Sequence, residues 1–191
     1  MIAYFDSGPI ISAFQPVNAE GVSVFDTLTE IPDLRIVLPQ QFKEEIVDEG
    51  KRYQHPDAFL IEQQINNGKI TVEPTPTVSK EIQQDIDVYK HLSRKQMIGA
   101  GDEGFLKTGL VHRDEENRCC VCDDRNLIFY CFRFGIITQI LPDFIESLFK
   151  HGKVPFETTK QMLEALLHSG RYRRDLLQHN LNHFQRQTER G

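Results

Sequence analysis

No stretch of this 191-residue chain approaches the roughly 20 consecutive apolar residues that a membrane-crossing helix needs. The opening residues carry no basic start, and Asp6 cuts short their apolar run, which predicts that no secretory leader is present. Cysteine is scarce: Cys119, Cys120, Cys122 and Cys131 are the only four, all within positions 119–131. That clustering excludes the dispersed framework of a disulfide-stapled secreted domain. A zinc site using His112 fares no better, because no paired CxxC recurs and neighbouring cysteines on a strand point to opposite faces. Small thiols buried in an apolar strand are the expected outcome. Neither GxxxxGK[ST] nor GxGxxG occurs, so a P-loop and a dinucleotide fingerprint are both absent. There is no internal repeat and no low-complexity tract. These absences predict a soluble, cytoplasmic protein with no membrane partner.

What is present fits one well-buried core. The chain is 39% hydrophobic and carries a formal net charge of -6, which does not advertise nucleic-acid binding. The charge is uneven, with 8 Lys/Arg against 6 Asp/Glu in residues 140–191 and 14 against 22 before them. Acids gathered at a metal site would raise the negative count without repelling a phosphodiester once cations are bound.

Short apolar runs alternate with helical patterns. Ile2–Phe5, Leu34–Leu38, Lys69–Glu73, Arg118–Cys122 and Ile136–Thr138 read as strands. Between them, helices are predicted after Pro9, near 22–29, from Pro39 to Gly50, over 57–67, from a Ser79 cap through Ile82, Ile86 and Tyr89, from Gly101, and over 124–134. After Leu141-Pro142 only helices are expected, near 143–150, 156–168 and 172–186. The alternation argues for an α/β, Rossmann-like parallel sheet flanked by helices over residues 1–139, with a helical C-terminal extension over 140–191 packed on or beside it.

Four acidic stations stand where strands end or helices begin: Asp6, Glu45, Asp102 and the pair Asp123-Asp124. A parallel sheet aligns the ends of its strands along one edge, where α/β folds hold ligands. At about 100° per residue, Glu45 lies about 60° from Phe42 on the rim of the apolar stripe, with Ile46 about 40° the other way and Glu44 about 160° round. Likewise Phe105, Leu106, Gly109 and Leu110 form an arc centred near Asp102, with Glu103 on its flank. Taken singly, each acid is as readily a helix cap or a dipole partner, and Asp124 a favourable charge in a first helical turn. A shared cause is simpler than four separate ones. Ser7 could hydrogen-bond a carboxylate or a bound water, or serve the turn alone.

At these residues the chain resembles the PIN-domain nucleases. The matching pieces are Tyr4-Phe5-Asp6-Ser7, Leu38-Pro39 through Glu45-Ile46, Gly101-Asp102-Glu103, and Val121-Cys122-Asp123-Asp124-Arg125-Asn126 with Phe134-Gly135-Ile136 beyond. The resemblance implies hydrolysis of RNA phosphodiesters with Mg²⁺ or Mn²⁺. It implies a catalytic set of Asp6, Glu45, Asp102 and Asp123, metal ligands among Asp6, Asp102, Asp123 and Asp124, and support from Ser7 and Asn126. Many bacterial members are toxins held inactive by a small antitoxin protein, which the resemblance admits as a partner. Gly104 and Lys107 depart from the apolar, small-residue helix usual after the third acid, leaving Asp102 and Glu103 both open as the working group.

Other aspartate-bearing sheets fit less well. A receiver domain places its acidic pair after the first strand, and a haloacid dehalogenase-type phosphatase needs Asp-x-Asp there, where this chain has Gly8. The alternative from another class is a non-catalytic PIN-like domain that binds a protein or RNA partner through its tail, using Arg171, Arg173, Arg174, Arg186 and Arg190. Leu163, Leu166 and Leu167 would serve a homodimer interface as readily as internal packing.

Overall fold

A strand buried on both faces has no reason to alternate polar and apolar residues, and β1 (Ile2–Phe5) shows the result, with Ala3, Tyr4 and Phe5 all at most 1% exposed. The computed structural model describes residues 1–92, 98–175, 177–178, 181–182 and 184. Within them β1 is the middle of a five-stranded, wholly parallel sheet. Its partners are β2 (Arg35–Pro39), β3 (Ile70–Glu73), β4 (Arg118–Val121) and β5 (Thr138–Gln139), in the order β3-β2-β1-β4-β5. The chain lays down β2 and β3 on one side of β1, then returns to lay β4 and β5 on the other. The switch point therefore falls between β1 and β4, the place where an open α/β sheet leaves a crevice beyond its carboxyl ends.

Helices fill the connections. They are α1 (Ser7–Ala13), α2 (Val24–Thr29), α5 (Pro56–Asn66), α6 (Lys80–Leu92), α7 (Ala100–His112) and α8 (Arg125–Arg133). Between β2 and α5 one helical stretch runs as α3 (Gln40–Lys43), a π-helical segment (Glu44–Glu49) and α4 (Gly50–Arg52). Local chemistry accounts for several boundaries. Ser23 and Asp26 close a reciprocal capping box at α2, and Pro56 starts α5.

The fifth strand begins two residues later than the apolar run Ile136-Ile137 predicts. Gly135 takes φ 71°, its N–H bonds to the carbonyl of Phe132, and Ile136 N–H bonds to the carbonyl of Cys131. This Schellman closure of α8 consumes both residues before the strand can start, and it leaves Ile137 85% exposed.

The extension forms α9 (Leu141–Lys150) and α10 (Phe156–Ser169), and the described residues from 174 onward are helical. Arg186 and Arg190 lie outside the described residues. The extension is no separate unit: α9 packs on β5 and α10, α10 packs on α1, and Phe144 meets Phe5 edge-on at 5.6 Å between centroids. Leu163 and Leu166 are fully buried in the core they share with the sheet, so internal packing accounts for them and no interface needs them. Among the described residues no helix is long and apolar enough to cross a membrane.

Candidate functional site

Asp6 follows β1 with no intervening loop and is the N-cap of α1. Its backbone N–H continues the sheet by donating to the carbonyl of Val121 at 2.9 Å, which seats it beside Cys122 at the end of β4. Only 5% of Asp6 is exposed. Its Oδ1 accepts from the N–H of Ser7 at 2.6 Å and from Ser7 Oγ at 3.1 Å, and its Oδ2 accepts from the Cys122 thiol at 3.5 Å. Burial outweighs these donors and pushes its carboxyl up to about 6, with the charge of Asp102 adding to the rise.

Asp102 and Glu45 meet at the start of α7. Asp102 Oδ2 accepts from Gly99 N–H at 3.0 Å, the half of a capping box that a glycine cap permits, and Glu45 Oε1 accepts from Gly101 N–H at 2.8 Å. A methyl group placed on Gly99 would lie 3.7 Å from an oxygen of each. Gly101 is more tightly constrained, because any side chain there would collide with the Glu45 carboxylate and the Phe42 ring. Burial raises the Asp102 carboxyl, and the nearby charge of Asp124 raises it further.

The α-helical angles expected around Phe42 do not hold. Over Glu44–Glu49 the helix is π, so Val47, five residues on from Phe42, is the buried neighbour, whereas Ile46 is only half-buried. Glu45 is exposed and still reaches α7 with its carboxylate.

Glu103 has a different occupation. Lys90, Lys107 at 2.8 Å and Gln83 at 3.1 Å all contact its carboxylate, holding its carboxyl down at about 2 against the cost of partial burial. Lys107 and Gly104, the two departures from the expected pattern, are explained locally. Lys107 neutralises Glu103, and Gly104 leaves room for Gln41 and Thr75. Of the two neighbouring acids, Asp102 is the one whose charge bears on Asp6 and feels that of Asp124.

Asp123 is tied to the extension through both oxygens. Oδ1 accepts from Leu141 N–H, at the start of α9, at 3.1 Å, and Oδ2 accepts from the Tyr172 hydroxyl, which also hydrogen-bonds Ser12. Burial raises the Asp123 carboxyl, these donors oppose the rise, and the charge of Asp143 adds to it. Burial, with the Asp123 charge beside it, pushes the Tyr172 hydroxyl well above its ordinary range. Asp124 is exposed and caps α8, accepting from Asn126 N–H at 2.7 Å and Leu127 N–H at 2.9 Å. Asn126 contributes that backbone donor and is itself exposed.

Asp6 and Asp123 thus both flank Gly8, Glu45 and Asp102 both flank Gly99, and each acid also performs a capping task at a helix start. Two partners, Cys122 and Tyr172, escape a reading of the sequence: one looks like core, the other is a lone aromatic in a polar turn. A set of carboxylate oxygens is the donor chemistry that hard divalent cations prefer. Among the described residues, however, no three His, Cys, Asp or Glu side chains stand close enough together to hold an ion as a group. Mg²⁺ commonly keeps several waters and takes only one or two direct carboxylates.

No family model, curated protein or solved structure matches this chain.

Proposed function

We propose that this protein is a PIN-like, metal-dependent ribonuclease acting on RNA phosphodiesters with Mg²⁺ or Mn²⁺. The observation that carries the reading is the burial of Asp6 at the switch point of the sheet, its charge adjoining that of Asp102. A carboxylate that is 5% exposed and meets other acids is costly unless something positive shares the pocket. Of Asp6, Asp102, Asp123 and Asp124, one or two would ligate the ion directly and the others would reach it through its waters. When bound, a divalent cation polarises a phosphoryl oxygen and lowers the pKa of its water.

The chain's own residues do the rest. Ser7 fixes the Asp6 carboxylate by two donors on one oxygen, and Cys122 orients the other oxygen. Glu45 would orient an attacking water and accept its proton at Oε2, since Oε1 is engaged with Gly101 N–H.

One observation favours a second reading, a non-catalytic PIN-like domain that binds a protein or RNA partner. Both oxygens of Asp123 are already engaged with the extension, as a purely structural anchor would be. Incubating the purified protein and its Asp6→Asn variant with defined RNAs, with and without Mn²⁺, separates the two. The nuclease reading expects Mn²⁺-dependent cleavage that the variant loses; intact RNA throughout supports the scaffold.

A further inference from the structure

The extension places more than Tyr172 at the acidic centre. Beside Asp123 opens a cleft of about 490 Å³, walled by Ser12 of α1, the first turn of α8 and the turn after α10. Three arginines line it: Arg125 follows the Asp124 cap, and Arg171 and Arg173 flank Tyr172. In a chain of net charge -6, three guanidinium groups from two distant segments on one cleft mark a concentration of positive charge.

Helix stability does not explain Arg125. It is the first residue of α8, where the helix dipole disfavours a cation, and it forms no ion pair among the described residues. The other two have solvent-accessible partners. Arg171 stands 3.9 Å from Asp57, and the Nε of Arg173 donates to Asp175 at 3.1 Å. Exposed pairs of this kind contribute little and exchange readily for a stronger anion. Guanidinium groups pair with phosphate in two-pronged geometry, which makes arginine the residue suited to a phosphate-lined ligand.

We propose that this cleft binds the phosphate backbone of a single-stranded RNA, with Arg125 on one wall and Arg171 and Arg173 on the other, leading the strand to the acids beside Asp123. The choice of RNA as ligand rests on the ribonuclease reading; the anion-binding character of the cleft rests on the arginines alone. Tyr172 couples the two, since the residue that separates Arg171 from Arg173 holds Asp123.

The test is fluorescence anisotropy of a short fluorescein-labelled single-stranded RNA, titrated in EDTA with the full chain, so that binding is read without metal and without cleavage. Arg125→Ala and the double variant Arg171→Ala/Arg173→Ala are expected each to weaken binding about tenfold or more. Each should also flatten the dependence of log K on log salt by about 1 per phosphate contact removed. Arg113→Ala, an exposed arginine outside the cleft, should change neither. Absence of binding by the wild type, unchanged affinity in the cleft variants, or an equal loss in Arg113→Ala would overturn the proposal. If the cleft variants lose binding while no Mn²⁺-dependent cleavage is found, the cleft stands and the nuclease reading falls. If cleavage is present and the cleft variants bind and cleave normally, the reverse holds.

Discussion

Asp6 concentrates the physics of this site in one carboxyl. An ordinary aspartate ionises near 3.8, and burial lifts Asp6 to about 6. In the absence of cations the folded chain therefore holds this proton more tightly than the unfolded chain between those values, and the contribution of Asp6 to stability falls as pH rises through that window. Asp6→Asn removes the effect. Urea denaturation in EDTA should show the variant gaining on the wild type between pH 4 and pH 7, by an amount on the order of 3 kcal/mol at most. A difference between the two proteins that stays constant over that range would mean that Asp6 is not desolvated. Glu103 supplies the opposite case, a carboxylate already neutralised by Lys90 and Lys107. Glu103→Gln should leave Mn²⁺ affinity within about twofold of wild type, because these lysines and not a cation balance its charge. Asp102→Asn should weaken Mn²⁺ binding at least tenfold, the scale on which loss of one charged ligand acts. Equal effects of the two substitutions would contradict this division of labour.

Elements bring these residues together, and the start of α7 is where packing is tightest. Gly101 lies against both Phe42 and the Glu45 carboxylate, so Gly101→Ala should force the two apart and cost about 1–3 kcal/mol by overpacking. Thermal unfolding should show it as a drop of several degrees, and an unchanged Tm would place Glu45 elsewhere. At the other end of the site, the Tyr172 hydroxyl is a donor to a partly buried carboxylate. Tyr172→Phe should cost about 1–2 kcal/mol, lowering Tm by about 2–8 °C; no change would mean that the extension is not latched through Asp123. The strands and the order of the acids were legible in the sequence because buried parallel strands read as unbroken apolar runs that stop at their polar ends. The π-helical segment was not, since its wider turn depends on how Phe42 and Val47 pack and local composition carries no mark of it. Nor was the late start of β5, which Gly135 and Ile136 decide by closing α8. Asp102 and Glu103 could not be told apart by position alone; that Glu103 is paired with Lys90, thirteen residues upstream, shows only once α6 and α7 meet.

At the scale of the whole molecule, one sheet edge gathers what the sequence spreads over more than a hundred residues. The switch between β1 and β4 sets Asp6 beside Cys122, α7 delivers Asp102, the π-helical segment delivers Glu45, and the extension closes on Asp123. The extension, residues 140–191, belongs to the same core as residues 1–139 and reaches Asp123 through Tyr172. Calorimetric titration of the folded protein with Mn²⁺ at pH 7.5 tests the central claim most directly, read against Asp6→Asn and Asp102→Asn. A carboxylate cation site predicts saturable binding by the wild type that both variants lose, and that weakens in the wild type as pH falls below about 6. Absence of binding, or binding that survives both substitutions, would contradict it.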